Sequence, residues 1–323
     1  SLLIGGVPQA FERHLGPLPV VTLYQYNTAE SLTRYLLEQH RSALETLLGG
    51  ETATASPAPA EPAPAVPVPP STHGEIARGD IAVIGLSGKY PMAEDLEQFW
   101  QNLRQGRNCI REVPRERWDW QAYYSPDKHQ PGGIYSKWGG FIDDVDRFDP
   151  LFFAISPNEA RLMDPQERLF LESAWTLLED AGYTRQALAK HKVGVFVGIM
   201  HADYESLAGE LWSSDPTVAA HSSSWSAANR VSYLFDLDGP SLAVNTACSS
   251  SLTAIHLAYE SIMRGECDLA IAGGVNLILH PKHYLRLSAA TMISRGDRCR
   301  SFGADADGFV AGEGGGAVLL KPL

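Results

Sequence analysis

The chain has 323 residues, 44% of them hydrophobic and 20% charged, which is enough apolar material for a large core and more than one domain. A net charge of −12 argues against a nucleic-acid-binding surface, because phosphate contact needs basic patches and none stands out. No apolar run approaches bilayer-spanning length, and the opening "SLLIGGV" is too short and lacks the basic flank of a signal peptide.

In chain order, residues 1–50 predict two helices around a turn, the first near "LLIGGVPQAFERHLG" and the second near "TAESLTRYLLEQHRSALETLL". Thr28 is placed to cap the second, whose Leu32, Tyr35, Leu36 and His40 share a face. Residues 51–78 form a linker, because "PAPAEPAPAVPVPP" is half proline and can build neither helix nor sheet. From 79 to 323 strands and helices alternate. "DIAVIGLSG" (80–88), "VGVFVGI" (193–199), "DLAIAGGVN" (268–276) and "GEGGGAVLLKPL" (312–323) predict strands. "DLEQFWQNLRQG" (95–106) and "PQERLFLESAWTLLEDAG" (165–182) predict helices, the latter amphipathic and ended by Gly182. Near-continuous apolar strands interleaved with helices predict a layered α/β fold with its sheet covered on both faces.

The stretch "SLAVNTACSSSLTAIHLAYESI" (241–262) carries the chemistry. Leu242 and Val244 alternate as in a strand, and after Cys248 the period becomes helical, with apolar residues on nearly every side. Cys248 is therefore expected where a buried strand turns into the first turn of a buried helix. The unpaired N–H groups and dipole at such a position favour the anionic thiolate. The small neighbours Thr246, Ala247, Ser249 and Ser250 permit the tight turn of a nucleophile elbow built with Cys in place of Ser.

The other cysteines, Cys109, Cys267 and Cys299, form no CxxC pair, which argues against a zinc knuckle or a disulfide framework and for a reducing, cytoplasmic setting. Cys267 and Cys299 read as small buried hydrophobes. "HPKH" (280–283) has a two-histidine spacing but no third ligand nearby in sequence, so it reads as a solvated loop rather than a metal site. "GADADG" (303–308) fails as a calcium loop, since Gly303 and Gly314 occupy the first and twelfth ligand positions. "GEGGGAV" precedes a strand rather than opening a helix, so its glycines serve close packing and not a phosphate cradle.

"VNTACSSSL" (244–252) resembles the active-site segment of β-ketoacyl synthases, in particular the ketosynthase domains of modular polyketide synthases. So do "IAVIGLSGKYPMAEDLEQFWQNL" (81–103), "GGFIDDVDRFDPLFFAISPNEARLMDPQERLFLE" (139–172), "SAANRVSYLFDLDGPS" (226–241) and "RCRSFGADADGFVAGEG" (298–314). The resemblance implies a thiolase-like layered α/β fold and a homodimer through the sheet edge near the active site. Cys248 matches the nucleophile that takes an acyl chain from a phosphopantetheine thioester, and its backbone N–H matches half of an oxyanion hole. The acyl-enzyme would then be attacked by the carbanion of a decarboxylating malonyl thioester. Asn245, where the family usually has Asp, and Phe302–Gly303, where it has Phe-Asp, resemble systems supplied by a free-standing acyltransferase.

The family's two further histidines stand in His-Gly-Thr and Gly-His segments that do not occur among these residues. The 79–323 piece is accordingly expected to be a truncated ketosynthase, inactive by itself. Residues 1–50 resemble the end of an acyl carrier protein, which makes Ser1 of "SLL" a candidate phosphopantetheine attachment site. No cofactor is expected in the ketosynthase itself and no metal is assigned. Two alternatives stay open: a ketosynthase that only transfers or docks chains, and a thiolase- or chalcone-synthase-like enzyme using coenzyme A thioesters.

Overall fold

The computed structural model describes residues 29–41, 79–212 and 223–323. The chain falls into two units, 1–72 and 73–323. In the first, the described helix α1 (Ala29–Gln39) buries Leu36, and the Tyr35 ring meets the His40 ring edge-on at 6.2 Å. Ser1, Thr28 and the first expected helix lie outside the described residues.

The second unit is built on a five-stranded sheet ordered β1-β8-β6-β4-β5. Its elements run β1 (Ile81–Lys89), α2 (Leu96–Gln105), β2 (Arg111–Glu112), β3 (Trp138–Gly140), α3 (Pro157–Leu162), α4 (Pro165–Asp180), α5 (Arg185–Leu188), β4 (Val193–Ile199), α6 (Asp203–Trp212), α7 (Ser224–Phe235), β5 (Ser241–Val244), α8 (Ser250–Met263), β6 (Leu269–Asn276), α9 (Lys282–Ala289), β7 (Ala311–Gly312) and β8 (Gly314–Pro322). Strands β5, β4 and β6 are parallel, whereas β8 runs antiparallel to both of its neighbours, β6 and β1. A small second sheet has the order β2-β3-β7.

The central strand explains the layering. All seven residues of β4 are buried, and successive side chains point to opposite faces. Val193, Val195 and Val197 join the core formed with Leu169, Phe170 and Leu177 of α4 and Ala228 and Val231 of α7. Phe196 joins the opposite cluster with Ala254, Ala258 and Ile262 of α8. Gly194 and Gly198 share that second face, so α8 can lie close to the sheet. A Cβ on Gly198 would stand 2.5 Å from the Ser251 nitrogen.

Local signals set the helix ends. Asp95 accepts from the Gln98 N–H at 2.8 Å, and Gly106 ends α2 with φ 60°. Asp164 caps α4 through the Gln166 N–H at 2.8 Å, with Pro165 preorganising the first turn. Gly182 follows α4 with φ 70°. Most of α4 is buried, including Gln166, Glu167 and Arg168, so it is a covered helix rather than a half-wetted one.

Two expectations are corrected here. Strand β5 is the sheet edge: only Val244 is buried, and Leu242 is 46% exposed. Helix α8 buries only its sheet-facing side, leaving Leu252 71% exposed and Leu257 open. Periodicity reports which residues are apolar, but whether an apolar face is covered depends on a neighbouring layer, and no described element lies over this one.

Candidate active site

Parallel strands β4, β5 and β6 end at one edge of the sheet, where open α/β sheets place their binding loops. The loop after β5 carries Cys248, which is exposed. It lies one residue before the helix cap Ser249, at the junction between β5 and α8.

The turn is held by its own hydroxyls and amides. Asn245 Oδ1 accepts from the Ala247 N–H at 3.1 Å, and Ala247 adopts φ 55°, the left-handed region that non-glycine residues rarely occupy. The Thr246 N–H donates to Ser250 Oγ at 3.0 Å, and that hydroxyl donates to the Ala247 carbonyl at 2.6 Å. Ser249 Oγ donates back to the Thr246 carbonyl at 2.8 Å, so the cap residue makes no side-chain bond to its own helix. The first-turn amides of α8 thus receive no side-chain acceptor from the cap, and the Ser250 N–H turns back to the Ala247 carbonyl at 3.1 Å. The run of serines after the cysteine has a structural meaning: Ser249 and Ser250 tie the elbow, and Ser251 packs under Gly198 and Gly274.

Beyond the elbow, buried polar groups lock the surrounding loops. Glu313, whose side chain is fully buried, takes both guanidinium nitrogens of Arg117 at 2.7 and 3.0 Å. It also accepts from the Ile142 and Ile278 N–H groups. Burial pushes its carboxyl upward, while Arg117 and the two amides pull it down. Gln166 donates to the His201 carbonyl at 2.9 Å and accepts from the Leu277 N–H at 3.1 Å, joining the loops after β4 and β6. Arg230 pairs with Glu159 at 2.7 Å and Glu167 at 3.5 Å. The "NEARLMDPQER" and "NRVSY" stretches are therefore scaffold for the sheet edge. Sequence reasoning assigned Glu313 and Gln166 no role, although a lone carboxylate inside a glycine-rich, otherwise apolar strand was the available signal.

The remaining candidates resolve as follows. Cys267 is buried, its thiol 3.5 Å from Ser261 Oγ, and burial pushes that thiol up. Cys299 is exposed, contrary to its expected burial, because it lies in a surface loop and accepts the Val310 N–H at 3.2 Å. Asp305 and Asp307 of "GADADG" pair with Arg300, and Asp307 also accepts from Ser294 Oγ at 2.6 Å. Within "GEGGGAV", a Cβ on Gly316 would meet the Tyr90 hydroxyl at 2.9 Å, consistent with close packing.

"HPKH" is not simply a solvated loop. His280 turns its Nδ1 to the Lys282 N–H, but His283 is partly buried and stacks edge-on against His201 at 4.5 Å. Burial lowers both imidazoles, His283 to about 4. Asp203 joins them from the start of α6. The third member comes from 80 residues upstream, beyond any local spacing rule.

Residues 78–323 match the sequence profile of the family described as β-ketoacyl synthase, N-terminal domain. The chain belongs to the β-ketoacyl synthase family. Among relatives, polyketide synthase PksM of Bacillus subtilis (strain 168) is 47% identical over the whole chain, which covers 8% of PksM. Polyketide synthase ThaG of Burkholderia thailandensis is 54% identical over 75% of the chain, equal to 4% of that protein. Among solved structures, the Streptomyces albus oxazolomycin ketosynthase domain OzmH KS7 aligns with TM-score 0.73 and 53% identity, covering 75% of this chain and 42% of that one. A ketosynthase from module 6 of the Bacillus subtilis 168 bacillaene synthase gives 0.69 and 42%, over 75% and 40%. The ketosynthase chain thus spans less than a tenth of these curated relatives, and its mixed sheet is of the thiolase-like α/β class.

Proposed function

We propose that the ketosynthase elongates acyl chains by decarboxylative Claisen condensation with Cys248 as nucleophile. The observation that carries this reading is an exposed cysteine on a left-handed elbow at the start of α8. The Cys248 thiolate attacks the carbonyl of an acyl-phosphopantetheine thioester on a carrier domain. The tetrahedral oxyanion accepts the Cys248 N–H, and collapse expels the carrier thiolate, which takes up a proton. Loss of carbon dioxide from a malonyl thioester leaves a carbanion that bonds to the acyl carbon and expels the Cys248 thiolate.

The elbow, whose cap residue Ser249 makes no side-chain bond to its own helix, supports the first step. Residues 1–50 fit the end of a carrier domain with Ser1 as its attachment point, 51–78 a tether, and 79–323 the ketosynthase. A free-standing acyltransferase fits Asn245 and Gly303. A homodimer through the β5 edge fits its unpaired side, where Leu242 is exposed and the neighbouring α7 exposes Trp225 and Tyr233. No described helix is long and apolar enough to cross a membrane.

The test is to give the full-length protein acyl- and malonyl-carrier thioesters and follow the carrier-bound product by mass spectrometry. Elongation by two carbons, lost in Cys248→Ala, supports the reading. Acylation of Cys248 without carbon–carbon bond formation overturns elongation and leaves a transferase.

A further inference from the structure

Three side chains from the segments after β4 and β6 converge, His201 from a loop, Asp203 from the start of α6 and His283 from α9. His201 and Asp203 follow β4, His283 follows β6, and one potential ligand atom from each lies within 4.8 Å of the others. The adjoining Met200 carbonyl is reached by Asn245 Nδ2 at 3.5 Å, which links this loop to the loop bearing Cys248.

Asp203 supplies a second, independent observation. It is only 8% exposed, and its Oδ2 accepts no hydrogen bond. An uncompensated buried carboxylate oxygen costs several times what a satisfied one does, so native structures rarely keep one without a partner. Asp203 faces both histidines electrostatically, and the two rings meet edge to face at 4.5 Å. Gln166 Nε2 donates to the His201 carbonyl at 2.9 Å and so fixes the backbone that carries this imidazole. Arg286 is the opposing charge on α9.

We propose that His201, Asp203 and His283 bind one divalent transition-metal ion of the zinc class, leaving at least one coordination position open. Two imidazoles and one carboxylate are a borderline-soft set, suited to zinc, cobalt or iron rather than to calcium or magnesium, which take oxygen ligands. Ligands about 2.1 Å from a tetrahedral ion stand roughly 3.4 Å apart, so donors within 4.8 Å of one another must draw in by up to about 1.4 Å, a movement that imidazole rotation supplies. The ion fills the vacant acceptor capacity of Asp203 Oδ2 and ties the loop after β4 to α9. It braces the loop whose Met200 carbonyl meets Asn245 Nδ2. This site does not depend on the condensation reading.

The experiment uses the full-length protein, stripped with chelator and titrated with Co²⁺ and Zn²⁺, against a His201→Gln/His283→Gln double variant. The expected result is one more Co²⁺ per chain in the wild type, with visible d–d absorption displaced by Zn²⁺. Apparent affinity should fall by at least about a hundredfold in the variant, the upper end of what losing a supporting residue alone costs. Zn²⁺ should raise the wild-type thermal midpoint and leave the variant's unchanged. Equal metal uptake and equal spectra in two folded proteins, or preference for Mg²⁺ over Zn²⁺, overturns the site. If circular dichroism shows the double variant unfolded, Asp203→Asn replaces it under the same criteria.

Discussion

Replacing Gly198 by alanine tests how the sheet positions the nucleophile. The new Cβ would lie 2.5 Å from the Ser251 nitrogen and 2.7 Å from the Ser250 carbonyl carbon and Ser251 Cα. These are backbone atoms of the first turn of α8 and cannot swing aside. Ordinary van der Waals contact begins at 3.4 Å, so the helix start must retreat by about 3.4 − 2.5 = 0.9 Å. Cys248 lies two residues before Ser250, where that turn begins, and moves with it. Overpacking of this kind costs about 1–3 kcal/mol of stability. A displacement near 1 Å at a reacting group costs on the order of a hundredfold in rate. The assay is the rate of Cys248 acylation from an acyl-phosphopantetheine thioester, measured beside a denaturant melt of the same protein. Gly209→Ala is the control, since nothing lies within 4 Å of its Cβ and alanine is the better helix former. Acylation at the wild-type rate in Gly198→Ala would refute the claim that the glycine face of β4 sets the elbow.

Other outcomes follow from the same contacts. Glu313→Ala leaves the Arg117 guanidinium buried and unpaired and should cost about 3–5 kcal/mol in a urea melt. Ser250→Ala removes the acceptor for the Thr246 N–H and the donor to Ala247, and should cost about 1–3 kcal/mol while slowing Cys248 alkylation. Cys267, its thiol pushed up by burial, keeps less thiolate than an exposed cysteine at any given pH. It should resist iodoacetamide at neutral pH until denaturant is added, whereas Cys248 and Cys299 label in the native protein.

What could be read from sequence depended on how local the cause was. "VGVFVGI" and "DLAIAGGVN" announced buried parallel strands because continuous apolar runs need cover on both faces. Gly182 marked the end of α4, since termination is settled within a few residues, and the caps Asp95 and Asp164 act over the same short range. The elbow at Cys248 was visible as a change of period flanked by small residues. Leu242 and Leu252 were misjudged because their exposure depends on a layer that lies over them, not on their own pattern. Cys299 was misjudged because its loop supplies an amide partner without burying the sulfur. The His201–Asp203–His283 group was invisible because the β4–β6 register brings its members together from distant loops, and Glu313 showed only as a lone carboxylate because its partners Arg117 and Ile142 lie 196 and 171 residues away.

The most direct measurement is peptide mass mapping of the full-length protein after exposure to an acyl-phosphopantetheine thioester. The account predicts one acyl group on the peptide containing Cys248 and none there in Cys248→Ala. Acylation at Cys109, Cys267 or Cys299, with Cys248 unmodified, would contradict it.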